Sequence, residues 1–177
     1  MKKGSLRLVA VSATALFLTS GHARAQSAPP GGWFYDTSTD PVTGAVTVDI
    51  SADSTVGTNS DGNPFLLAIR CDAGSPDVFI AWGDPVSTDT EDGDDDMTAV
   101  TYRFDDGQPQ SDMWNTSDNY TATFVDGNVE DFIKKLVKSK KFAAELEDFE
   151  GDEDTAVFDL GGIAKAISPV ERACGIN

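Results

Sequence analysis

Residues 65–82 read FLLAIRCDAGSPDVFIAW. Two apolar runs, 65–71 and 78–82, each have the length of a β-strand, and Asp72, Gly74, Ser75 and Pro76 between them are turn formers. The pattern predicts two consecutive strands, the first apolar enough to be buried on both faces.

Flanking segments carry related signals. Residues 46–50 (VTVDI) and 98–104 (TAVTYRF) alternate with period two, and Asp105-Asp106-Gly107 closes the second with a hairpin signal. Short segments at 112–115, 121–124, 142–149 and 155–158 complete eight strand candidates. One helix breaks the series. Val129, Phe132, Ile133, Leu136 and Val137 fall on one helical face, Asn128 stands as N-cap, and Glu130 and Asp131 occupy the first turn. A second helix is expected near the end of the chain, entered through Gly161 and Gly162 and ended or kinked by Pro169 before Cys174. Phe158, Leu160, Ile163 and Ile167 would pack the last strand and that helix together. The expected fold is α+β, mainly antiparallel β: a sheet or sandwich of about eight short strands, two helices and one disulfide.

The N-terminus reads as an export signal, residues 1–25. Lys2, Lys3 and Arg7 precede an apolar run at 8–18, and Ala23-Arg24-Ala25 gives a small-x-small cleavage pattern. That run is well short of the ~20 residues needed to span a bilayer. The expectation is cleavage near Ala25, a periplasmic location and no membrane span, with a flexible Pro/Gly-rich tail at 26–32 and a single β-rich domain at 33–177. In an oxidising compartment Cys71 and Cys174 are expected to pair. Such a bridge closes a loop of about a hundred residues and is worth about 4 to 5 kcal/mol on the chain-entropy model. A reactive or metal-binding thiol pair is the alternative, but the CxxC spacing and basic neighbourhood it needs are missing.

The whole chain holds 13 Lys and Arg, 30 Asp and Glu and one His. Four of those cations and His22 lie before residue 26, so residues 26–177 carry nine cations against thirty acids and no histidine. Nucleic acid and anionic lipid are poor partners for such a polyanion. Imidazole-based nucleophile activation, acid/base chemistry and zinc ligation are excluded with the histidine. Carboxylate chemistry, a hard-metal site or plain interaction remain. The run Glu91 to Asp96 offers Asp92, Asp94 and Asp96 as hard-metal ligands, and residues 147–154 form a similar cluster, yet neither obeys the EF-hand spacing. No metal or cofactor is expected. Among single acids in apolar frames, Asp105 and Asp159 are expected at turns or paired with Arg70 or Arg103, and Asp49 lies within a strand. Five of the nine cations, Lys134, Lys135, Lys138, Lys140 and Lys141, fall within eight residues. They form either a solvated helix face or a docking patch for an acidic partner.

Five motifs recur in a telling order: an apolar strand ending in Arg70-Cys71, Tyr102-Arg103-Phe104-Asp105, Trp114-x-x-Ser117, Phe158-Asp159-Leu160-x-Gly162 and a final Cys174. The stretch from 64 to 174 that holds them resembles the VasI/TagO family, accessory proteins associated with bacterial type VI secretion. The resemblance implies an exported, non-enzymatic protein with a protein partner in the envelope. Two features depart from that pattern: heavier acidic insertions at 91–96 and 150–154, and Gly175-Ile176-Asn177 after the final Cys in place of an aromatic. Arg70, Arg103 and Trp114 are candidate surface residues, together with Lys134, Lys135 and Lys138. Against this, Arg103 could pair with Asp159 or Asp49, and Trp82 and Trp114 could be core aromatics. Two other functional readings stand beside the first: an acidic binding module or inhibitor of a cationic envelope protein, and a carboxylate-based envelope hydrolase.

Overall fold

The computed structural model describes residues 32–88 and 97–176. In chain order its elements are β1 (Phe34–Thr39), β2 (Val46–Thr58), β3 (Pro64–Asp72), β4 (Ser75–Ala81), β5 (Met97–Phe104), β6 (Gln110–Thr116), β7 (Ala122–Phe124), α1 (Val129–Lys138), β8 (Lys141–Glu147), β9 (Glu153–Asp159), α2 (Ile163–Ala166) and α3 (Ser168–Cys174). All eight expected strands are present, and β1 is additional. Three helices replace the expected two. The expected last helix is interrupted ahead of Pro169: α2 stops at Ala166, Ile167 keeps helical angles, and α3 resumes at Ser168 with Pro169 in its first turn, where a missing N–H leaves no bond unmade.

Every ladder is antiparallel. Neighbours run β1-β2-β3-β4-β7-β6-β5-β8-β9, and β9 returns to β2 through Val157 opposite Val56. Eight strands therefore close into a barrel and β1 lies outside it against the first half of β2, so the sheet or sandwich resolves into a closed barrel. Closure depends on the length of β2. Residues up to Asp53 pair with β3, the register shifts between Asp53 and Thr58, and the far end meets β9. Gly57, with φ +89°, makes the bend; a Cβ there would lie 2.1 Å from the Thr155 carbonyl oxygen and 2.7 Å from the Phe65 ring. The Ser54 hydroxyl stitches the bulge, donating to Gly57 O (2.8 Å) and accepting from Phe65 N (3.0 Å).

The interior is filled by side chains of alternate residues: Val48, Ile50 and Ala52 of β2, Phe65, Leu67, Ile69 and Cys71 of β3, Val100 and Tyr102 of β5, Phe142, Ala144 and Leu146 of β8, and Ala156 and Phe158 of β9. The expectation that β3 is buried on both faces needs correction. Its outward residues Leu66 and Arg70 are half-exposed and only Ala68 is covered, so its apolar run conceals an ordinary period of two.

The helices gather at one end of the barrel. Phe132 of α1 packs its ring 5.2 to 5.7 Å from those of Phe104, Tyr102, Trp114 and Phe142. As expected, Asn128 caps α1, accepting from Asp131 N at 3.1 Å. The Cys71–Cys174 disulfide is formed, with Cα atoms 5.7 Å apart across 103 residues of sequence, and ties α3 to the end of β3. Among the described residues no helix is long and apolar enough to cross a membrane.

Candidate functional site

The antiparallel order gathers the cations at one end of the barrel, while acids stand at both. All nine cations after residue 25 stand toward the helix-closed end: Arg70 and Arg103 near the ends of β3 and β5, Lys134, Lys135 and Lys138 on α1, Lys140 and Lys141 at the entry to β8, Lys165 on α2 and Arg172 on α3. The opposite end carries Asp61, Asp84, Asp118, Glu147, Asp148, Glu150, Asp152, Glu153 and Asp154, and no cation among the described residues.

Backbone bonds, not counter-charges, hold that acidic end. Asp148 Oδ1 accepts from Glu150 N and Asp152 N, both at 2.8 Å, and Asp84 accepts from the Ser60 N–H (2.6 Å) and hydroxyl (2.7 Å). Ser87 N donates to Glu147 O and Phe149 N to Pro85 O, strapping the β4–β5 connection onto the β8–β9 hairpin. Burial, followed by the nearby carboxylates of Asp148, Asp84 and Asp152, pushes the Asp154 carboxyl above its ordinary value. No group of three or more His, Cys, Asp or Glu suited to a metal occurs among the described residues. The candidates Asp92, Asp94 and Asp96 lie outside the described residues.

At the helix end, Lys135 and Lys138 are exposed and Lys134 half-buried, and none forms an ion pair among the described residues. Lys134 and Lys138 flank a narrow groove of about 80 Å³ between α1 and α3, floored by Ile133, Val137 and Ile176. Lys141 reaches Asp106 at 3.6 Å, an exposed contact of little energetic weight.

Arg70 is half-buried and already engaged. Its Nε and Nη2 donate to one oxygen of Asp77 at 3.2 and 2.8 Å, and its guanidinium lies over Phe79 and Phe124, 5.1 and 5.8 Å from the ring centres. Trp114, 1 % exposed, belongs to the core beside Tyr102 and Phe132 and offers no surface; Trp82 is buried likewise and donates its indole N–H to the Thr123 hydroxyl at 3.0 Å. Arg103 is exposed, and the expected pairing with Asp159 or Asp49 is not formed. Register decides this: Arg103 stands opposite Ala143, Asp49 stands between Asp36 and Arg70, and Asp159 accepts from Gly161 N at 2.8 Å. Asp105 is at a turn as expected, accepting from Lys140 N and Lys141 N at 2.8 and 3.0 Å.

One depression is not foreshadowed by any local motif. The outward residues of β5, β8 and β9 are mostly small (Ala99, Thr101, Ala143, Thr155, Val157), leaving a hollow of about 280 Å³ with Arg103 and Pro109 at one side and Glu145 at the other. A neighbouring hollow of about 330 Å³ shares Thr101 and Glu145 and reaches Glu147 and Glu153. Glu145 and Glu153 are hydrogen-bonded to each other, and that contact followed by their mutual repulsion raises the Glu153 carboxyl. Three strands from separate segments build this groove. Its signal in the sequence is the matched outward series 99/101/103, 143/145/147 and 153/155/157, readable only once the strand order is known.

No family model and no curated protein matches the chain. Solved structures to which it is similar include the crystal structure of invasion associated protein B from Bartonella henselae, with a TM-score of 0.48 and 11 % identity, covering 78 % of this chain and 90 % of that one.

Proposed function

We propose that the protein is an exported envelope accessory protein of the VasI/TagO-like, type VI secretion-associated kind, which works by contact with a protein partner and not by catalysis. The observation that carries the reading is the sorting of charge on a closed, side-chain-filled barrel. With the interior occupied, the outer surface is what remains to offer a partner, and its two ends differ in charge: one mixes nine cations with acids such as Asp105, Asp106, Glu130 and Asp131, and the other is acidic alone among the described residues. The motif order from Arg70-Cys71 to Cys174 supports the family, and a long-range disulfide suits an oxidising compartment. The lysines of α1, without ion pairs among the described residues, give an acidic partner its anchor.

Capture of periplasmic proteins on the tagged protein tests this. The wild type is expected to retain a partner that a Lys134→Glu, Lys135→Glu, Lys138→Glu variant releases. Equal capture by both, together with unchanged secretion in a deletion strain, overturns the reading. The acidic end favours a second reading, an acidic module set against a basic envelope protein. In that case neutralising Glu150 and Asp152 abolishes a strongly salt-dependent capture and the lysine variant leaves it intact.

A further inference from the structure

We infer that the outer groove across β5, β8 and β9 binds a short free peptide of two or three residues, its C-terminal carboxylate on Arg103 and its N-terminal ammonium on Glu145 and Glu153. Arg103 is the first reason. In a chain where acids outnumber cations 30 to 13, this exposed arginine makes no ion pair among the described residues, because its strand neighbour is Ala143. A guanidinium left open in a hollow is a ready carboxylate acceptor.

At the other end of the same hollow the charge is reversed. Glu145 accepts from the Thr155 hydroxyl at 3.3 Å, which orients it, and it lies in direct contact with Glu153. Two carboxylates this close gain from an ammonium placed between them. The distance also fits. Along the strands Glu145, opposite Thr101, is two residues (~7 Å) from Arg103, and Glu153, in the row of Ala99, is four (~13 Å); an ammonium held between the two acids lies roughly 10 Å from the guanidinium, the separation of the charged ends of an extended tripeptide.

The backbone explains why recognition rests on the peptide's ends. The N–H and C=O groups of β5, β8 and β9 are committed to barrel ladders, so an incoming peptide cannot add as another strand. Its middle crosses small residues, Thr101, Ala143 and Thr155, which tolerate varied side chains. The chain's negative field selects against a ligand bearing only a carboxylate and admits one whose charges balance. Peptide binding here is independent of the envelope role, since it can fail without affecting partner capture.

Titration of the ¹⁵N-labelled protein with trialanine, followed by amide NMR up to about 10 mM, tests it, because one or two exposed ion pairs support only millimolar affinity. Saturable shifts are expected at Thr101, Arg103, Ala143, Glu145 and Thr155. N-acetyl-trialanine and trialanine amide should each bind at least about fivefold more weakly, as should Arg103→Gln and Glu145→Gln variants against the uncapped peptide. The capped peptides need no altered protein, so a folding defect cannot imitate the result. Absence of saturable shifts, shifts centred elsewhere, or equal binding of capped and free peptides overturns the inference.

Discussion

Trp33 donates its indole N–H to the carbonyl oxygen of Gly161, 3.1 Å away and 128 residues later, and the indole is 0 % exposed. The residue just before β1 is thereby fixed to the junction between β9 and α2. Trp33→Ala should cost about 3 to 5 kcal/mol, as for other large aromatic deletions in cores. Trp33→Phe keeps most of the packing but leaves the Gly161 carbonyl short of a donor, at about 1 to 3 kcal/mol. Denaturant midpoints measure both losses, and faster amide exchange in β1 than in β3 would locate the damage at the outer strand.

Gly57 is where β2 bends across the seam to β9. Any side chain meets the Thr155 carbonyl and the Phe65 ring, and φ +89° strains every L-residue. Gly57→Ala should destabilise by well over 1 kcal/mol, while Gly44→Ala, also at positive φ (+73°) but with nothing within 4 Å of its Cβ, should cost less. Thermal midpoints of the two variants check the order; equal midpoints would mean that the seam is not tightly packed.

The Cys71–Cys174 loop is long enough for its closure to matter. A Cys71→Ala, Cys174→Ala variant is expected to lose about 4 to 5 kcal/mol on the chain-entropy model. Equilibrium unfolding with and without reductant gives the comparison, and the variant should be indifferent to reductant.

Carboxyls raised in the folded state make the protein more stable when mildly acidified. Asp154 is raised by burial and then by Asp148, Asp84 and Asp152, Glu153 by its hydrogen bond to Glu145, and Asp49 by burial and then Asp36, with Arg70 opposing. A raised group favours folding fully below its unfolded value, about 4, and that contribution is lost as pH climbs through the folded value. The melting midpoint should therefore rise from pH 7 toward pH 5. At lower pH, Asp40, held down by N–H groups of Thr43 and Val42, pulls the other way. Asp154→Asn should raise the midpoint at pH 7, modestly because the group is partly solvated, and its advantage should vanish near pH 4. A constant advantage at all pH values would assign the effect to something other than titration.

Eight of the strands and α1 are written locally, in alternation, turn residues and a capped apolar stripe. β1 is not, because FYDTST is exposed at all six positions and so lacks a buried face to pattern it. Barrel closure is invisible for another reason: it rests on Val56 meeting Val157, a hundred residues apart, and no local signal reports such a pairing. The lysine cluster is legible because its members are sequence neighbours on one short helix. Arg103 stands out as a motif residue, but its surroundings do not, since Ala143, Glu145 and Glu153 join it only through strand order.

The disulfide has a topological consequence for passage through narrow pores. With Cys71 and Cys174 joined, β4 through α2 lie within a covalent ring, so even a fully unfolded chain enters a channel as a doubled strand. A translocon or a threading protease that admits one extended chain can take this protein only before the bond forms or after it is reduced. Bond formation thus sets a physical limit: single-file passage belongs to the reduced chain, and the oxidised one needs a pore wide enough for two strands.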